Sequence, residues 1–237
     1  MTDATDPMPE HPGAPAEAPR LMDRPDWLYL LREFEALYRH GSAGGSKVIR
    51  AHRRQVRDRL SAVLARNPEL AVRAAEAKPV TAHLARALDV GERGAMQGMA
   101  RALREVRTLL TWEYGYERVP PALARKYAFC EVLGPRGPVQ SDRLILGFVL
   151  FAPATTYPQH SHKKIEESYI SVAGAWSENN AAVYAPGSLI LNRPGDEHRI
   201  TTGDLEPCLL AYAWTGEPDA LGAPGMKLSS TRAPRAG

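Results

Sequence analysis

Tyr157-Pro-Gln-His160-Ser-His162-Lys-Lys-Ile-Glu166-Glu167-Ser-Tyr169 gathers imidazole, carboxylate and phenol into one short stretch, and its reading decides both the fold and the chemistry. On an extended strand residues two apart share a face, so His160 and His162 point to one side and can reach a single ion. Glu167 and Tyr169 repeat that spacing on what reads as the next strand. The step from His162 to Glu167 is odd, so a continuous strand would turn Glu167 away, and a turn near Lys163 and Lys164 is required to bring it back. The alternative carboxylate, Glu166, would share its face with Ser168 and Ile170.

A second cluster runs Gly187-Ser-Leu-Ile-Leu-Asn-Arg-Pro194-Gly195-Asp-Glu-His198, a short apolar strand, a Pro-Gly turn and a histidine that opens the following strand. Three of the chain's seven histidines thus fall in one pattern beside a glutamate, where unrelated surface histidines would be scattered. Together the clusters resemble the two motifs of the cupin superfamily. His160, His162, Glu167 and Gly174 match the first motif. Gly187, Gly195 and His198 match the second, with Arg193 where its proline usually stands. The resemblance implies a barrel with His160, His162, Glu167 and His198 around one metal.

At 237 residues and 44% hydrophobic content the chain is long enough to bury a full core. A net charge of +3 gives no argument for nucleic acid or an anionic membrane. No apolar run approaches the roughly 20 residues of a membrane span, and the Pro- and acid-rich start does not read as a secretory signal. A cytoplasmic protein is expected, with Cys130 and Cys208 as buried thiols. The composition leaves a homo-oligomer open.

Residues 1–20 read as a disordered tail, and 21–117 as a helical region. Trp27, Leu30, Leu31, Phe34 and Tyr38 recur at helical spacing after Pro25, with Asp26 and its neighbours as capping candidates, up to the stop at Gly41–Gly45. A second helix spans about 46–66, with Arg50, Arg53, Arg54 and Arg57 on a solvated side. Two short helices are expected over 68–90, introduced by Pro68 and Pro79, and a longer one over 92–110. After Pro120-Pro121 the period becomes strand-like. Short strands at 127–133, 144–151, 168–173, 181–184, 188–191, 198–202 and 208–214 define a β-rich unit over 118–222, followed by a loose tail over 223–237. The run Leu144–Phe151 is apolar on both faces and needs a cover, which the amphipathic helices supply. The fold class is therefore α+β, a helical N-terminal region packed on a C-terminal antiparallel barrel of jelly-roll type.

Nitrogen and oxygen ligands without thiolate suit Fe, Mn, Zn, Co or Ni. Tyr157 and Tyr169 flank the set, and a phenol beside a cation ionises more readily, so either can serve as a base. Tyr157, His-x-His, Glu167-x-Tyr169 and His198 resemble, more narrowly, the cupin-type dimethylsulfoniopropionate (DMSP) lyases. The helical half, with Ser42–Gly45 and Leu110–Tyr116, is most similar to their longer L-type members. The gap from His162 to Glu167 is one residue longer than in the shorter Q-type members. The resemblance implies His162, Glu167, Tyr169 and His198 around the metal, His160 as a further ligand or a donor behind them, and Tyr157 or Tyr169 as base. It also implies β-elimination of DMSP to dimethyl sulfide and acrylate. Trp112, Trp176, Tyr184, Tyr212 and Trp214 are candidates to face the sulfonium. The competing readings are another metal-dependent cupin enzyme, of non-haem iron dioxygenase type, and a non-catalytic cupin ligand sensor.

Overall fold

The computed structural model describes residues 18–71, 73–116, 118–224 and 227–228. The tail expected over 1–20 lies outside them apart from 18–20, and so does most of that expected over 223–237.

Helix α1 (Pro25–His40) buries Trp27, Leu30, Leu31, Phe34 and Tyr38 along one stripe. Its cap position is Arg24, without a side-chain cap. Asp26 instead sits inside the first turn, accepting from the Trp27 N–H and from Arg24. In α2 (Lys47–Arg66) the Ser46 hydroxyl caps the start by accepting from the Ile49 N–H, and Asn67 ends it in the left-handed region. The basic side of α2 is not wholly solvated: Arg53 is buried and donates Nε to the Tyr38 carbonyl at 3.0 Å.

Among the described residues of 68–78 none is helical. Their backbone bonds to distant segments, Leu70 N–H to Pro19 O, Ala71 N–H to Pro138 O and Glu76 N–H to Leu110 O, so tertiary partners replace the expected turns. A 3-10 turn at Pro79–His83 leads into α3 (Leu84–Glu92). The single helix expected over 92–110 is instead α4 (Gln97–Val106), folded back on α3 through the turn at 93–96, which lets both apolar faces pack. Arg104 ties the pair by reaching both Asp89 and Glu92. Two further α-helices among the described residues are single turns, α5 (Pro121–Ala124) and α6 (Pro218–Gly222).

The strands are β1 (Trp112–Glu113), β2 (Tyr127–Gly134), β3 (Val139–Gln140), β4 (Leu144–Phe151), β5 (Thr156–Ser161), β6 (Glu166–Ala173), β7 (Trp176–Glu178), β8 (Ala182–Tyr184), β9 (Leu189–Asn192), β10 (His198–Thr202), β11 (Cys208–Thr215) and β12 (Lys227–Leu228). One sheet runs β1-β2-β4-β11-β6-β9, with β3 beside β2, and the other runs β12-β5-β10-β7-β8. All pairs are antiparallel except β2 with β3. Within the segment expected to be a loose tail, Lys227 and Leu228 pair through the backbone with Ser161 and His160.

The first sheet explains why its central strands are apolar on both faces. Cys130, Phe148 and Ala211 point toward the helices, where Phe34 meets Phe148 at 5.3 Å between ring centroids. Phe129, Val149 and Tyr212 point into the barrel. The helix-side cluster contains residues from both sides of the break near Pro120, so the change of period marks a change of architecture within one shared core. Gly147 is needed on the barrel face, because a Cβ there would collide with the Tyr212 ring and the Cys130 carbonyl. Cys130 and Cys208 are buried free thiols, as expected. Among the described residues no helix is long and apolar enough to cross a membrane.

Candidate metal centre

The bends at Lys163 and Lys164 separate β5 from β6, and the odd step between His162 and Glu167 is absorbed there. Glu167 and Tyr169 consequently face the barrel interior, while Glu166 and Ser168 face the helices. Tyr157 and His160 are three apart and would face opposite ways on a regular strand, yet both are buried and their rings lie 4.9 Å apart. The cause is a bulge. His198 pairs with His160 while Ile200 pairs with Tyr157, so β5 spends one residue more than β10 over that interval. His198 enters from β10 after the Arg193–Asp196 turn, whose Gly195, at φ +89°, donates its N–H to the His162 carbonyl at 2.8 Å and ties the two motifs together.

His160, His162, Glu167 and His198 converge so closely that one ligand atom from each lies within 4.8 Å of all the others. The His162 and His198 rings are 6.2 Å apart. Glu167 Oε2 is 3.0 Å from His198 Nε2 and 3.8 Å from His162 Nε2. The 3.0 Å approach is not aligned as a hydrogen bond, and Oε2 and the Nε2 atoms of all three histidines are buried without a hydrogen-bond partner. Unpaired buried polar atoms are costly, and four of them aimed at one point fit a metal whose bonds are near 2 Å. Three of the four side chains are held at their opposite edge: His160 Nδ1 lies 3.0 Å from the Pro158 carbonyl, His198 Nδ1 lies 3.2 Å from that of Asp196, and Trp214 Nε1 donates to Glu167 Oε1 at 2.6 Å, whereas His162 Nδ1 is buried without a partner.

Burial holds the His160 imidazole down to about 3, and it lowers His162 as well. Burial opposes ionisation of Glu167, but the three imidazoles outweigh it and its pKa falls below the usual carboxylate value. For His198 burial is likewise outweighed, by Glu167, and the pKa rises. The site therefore offers an ionised carboxylate and neutral imidazoles at His160 and His162, while His198, favoured in its charged form by Glu167, gives up a proton on joining a cation's donor set.

Beside the cluster lies a small cavity lined by Tyr127, Phe129, Val149, Tyr157, Glu167, Tyr169, Tyr212 and Trp214. Of the aromatic side chains singled out in the sequence, Tyr157, Tyr169, Tyr212 and Trp214 are on its wall. Trp176 packs against Tyr169 at 5.9 Å and against Tyr184 at 5.1 Å, one layer back. Trp112 does not reach the site. It stands opposite Cys130 on the helix-facing side of the first sheet and belongs to the helix-side core. Tyr127 and Phe129 went unrecognised because β2 is buried along both faces, which leaves no alternation to read. Tyr116, whose hydroxyl accepts from Tyr157 at 2.8 Å, and Glu178, held by Asn192 at 2.9 Å, are further polar neighbours that no spacing in the sequence announces.

Fold and site together define a cupin-type α+β protein with a buried three-histidine, one-glutamate cluster able to hold a metal ion. A family model for dimethylsulfoniopropionate lyase matches residues 52–210. A protein of Cereibacter sphaeroides, named provisionally as dimethylsulfoniopropionate lyase DddL, is 74% identical over 216 residues, covering 91% of this chain and 93% of that protein. The chain belongs to the DMSP lyase family and is an enzyme of the carbon–sulfur lyase class. Its fold is shared by solved structures, among them two described as DMSP lyases. One, from work on the DMSP lyases RdDddP and RnDddQII, has a TM-score of 0.64 at 23% identity, covering 87% of this chain and 99% of that one. The other, DMSP lyase DddQ from Ruegeria pomeroyi DSS-3, has a TM-score of 0.62 at 22% identity, covering 85% and 98%.

Proposed function

We propose that this chain splits dimethylsulfoniopropionate into dimethyl sulfide and acrylate by β-elimination, at a divalent Fe, Mn, Zn, Co or Ni ion held by His160, His162, Glu167 and His198. The observation that carries this is the convergence of four buried, unpartnered ligand atoms beside an aromatic cavity. When bound, the metal supplies positive charge that steadies the substrate carboxylate and the charge developing as the α-proton leaves.

The chain's own residues supply the rest. Tyr169 or Tyr157, both on the cavity wall, takes the α-proton onto its phenolate oxygen. The C–H electron pair becomes the new carbon–carbon double bond, and the carbon–sulfur pair leaves on sulfur as a neutral thioether that needs no acid. Burial by itself holds both phenols well above their ordinary range, and Glu167 adds to this at Tyr169. A base at this position thus depends on the cation beside it. Tyr169 also lies close enough to the cluster, 6.1 Å from the His198 ring centre to centre, to serve as a ligand. Tyr127, Phe129, Tyr212 and Trp214 give the sulfonium aromatic surface in place of water.

Headspace dimethyl sulfide should appear when the purified protein meets DMSP, and should fall by orders of magnitude in Tyr169→Phe and His198→Ala. Normal turnover in both variants would remove the site assignment.

A further inference from the structure

Directly behind the metal centre, on the helix-facing side of β6, lies a buried polar network that the proposed chemistry does not use. The Ser168 and Tyr38 hydroxyls share a hydrogen bond of 2.7 Å. His52 Nε2 lies 2.8 Å from Ser168 Oγ, and His52 Nδ1 lies 2.6 Å from Glu166 Oε1. Arg53 donates to the Tyr38 carbonyl at 3.0 Å, joining α1 to α2 at the same point. Ser168 is 0% exposed, and Tyr38 and His52 are 1% exposed.

The Ser168–His52–Glu166 chain has the connectivity of a nucleophile, base and orienting acid. That role is ruled out by access, since Ser168 is covered by α1 and α2 and its hydroxyl is already bonded to Tyr38. The placement points elsewhere. Ser168 stands between Glu167 and Tyr169, and side chains alternate along a strand, so whatever fixes Ser168 outward fixes its two neighbours inward. The clamp also lies at the end of β6 where its pairing with both neighbours runs out. The pairing of β6 with β9 stops at Glu167, and that with β11 stops at Glu166.

We propose that Tyr38 and His52, from the helical half, are positioning residues for the site: through Ser168 and Glu166 they set the rotation of the β6 end that sends Glu167 and Tyr169 into the barrel. The helical region is in this respect part of the site's construction as well as a cover for the sheet.

Trp214 reports on the arrangement without any metal, because its indole N–H donates to Glu167 Oε1 at 2.6 Å. In metal-free protein labelled with nitrogen-15 at tryptophan, the Trp214 indole resonance, assigned with Trp214→Phe, should move and exchange faster with solvent in Ser168→Ala and His52→Ala. His52→Gln, which keeps an amide near the Nε2 position, should recover most of the wild-type behaviour. Val63→Ala, a cavity in the buried face of α2 remote from β6, should lower the unfolding temperature and leave the Trp214 signal unchanged. A second arm, titration with Co²⁺ alone, should show binding weakened about tenfold in Ser168→Ala. An unchanged Trp214 resonance in Ser168→Ala, or an equal disturbance in Val63→Ala, would overturn the proposal. The inference rests on the metal-site reading only in the Co²⁺ arm: wild-type protein that binds no Co²⁺ would refute that reading, while the indole arm decides this one.

Discussion

Replacing Trp214 by Phe isolates a single hydrogen bond at the centre. The indole N–H meets Glu167 Oε1 at 2.6 Å, and Glu167 is 1% exposed, so no water can take the donor's place without opening the barrel. Phenylalanine keeps an aromatic ring beside His162, which the indole approaches at 4.5 Å, and beside Tyr212 at 5.6 Å, so the wall of the cavity survives. What is lost is a charge-assisted bond to a buried carboxylate, of the order of 1.5–3 kcal/mol. Glu167 aims its other oxygen at the cluster, so the loss appears as a carboxylate free to rotate away from the metal position. At about 1.4 kcal/mol per factor of ten, metal affinity should fall roughly 10- to 150-fold. Competition against a chromophoric chelator measures this directly, with circular dichroism confirming the fold. Wild-type affinity in Trp214→Phe would refute the claim that this bond aims Glu167.

Glu167→Gln should abolish tight metal binding while Glu166→Gln leaves it within reach of wild type, which equilibrium dialysis distinguishes; the reverse order would mean that β6 presents its other face. Of Tyr169→Phe and Tyr157→Phe, the one that removes the base should lower kcat by about 10²- to 10⁴-fold, the other acting mainly on KM, as steady-state dimethyl sulfide release would show. Similar KM effects from both, with kcat intact, would move the proton acceptor elsewhere. Phe148→Ala should cost about 3–5 kcal/mol and shift a single unfolding transition, since Phe148 joins β4 to Phe34 on α1. Two separated transitions would show that helices and barrel fold independently.

The sequence made the ligand set legible because the spacing of a metal site is local. His160 and His162 sit two apart, one near the end of β5 and the other just past it, and the turn at Lys163–Lys164 needed to admit Glu167 is the one observed. Strands β4 and β10 have the expected bounds for the same reason, being clean runs between turn signals. What escaped depends on partners distant in the chain. Leu70, Ala71 and Glu76 bond through their backbone to Pro19, Pro138 and Leu110 in place of a helix of their own, which no helical propensity reveals. The bulge that turns Tyr157 inward belongs to the pairing of β5 with β10. Trp112 could not be assigned a side, since its two-residue strand carries no period, and it proves to face the helices. The inward role of Tyr127 and Phe129 was hidden in a strand apolar on both faces.

The most direct test removes and restores the cation. Protein stripped by a chelator should release no dimethyl sulfide from DMSP, and one equivalent of a first-row divalent metal per chain should restore release in the wild type but not in a His162→Ala, His198→Ala double variant. Undiminished release from the stripped protein, or full restoration in the double variant, would contradict the account at its root.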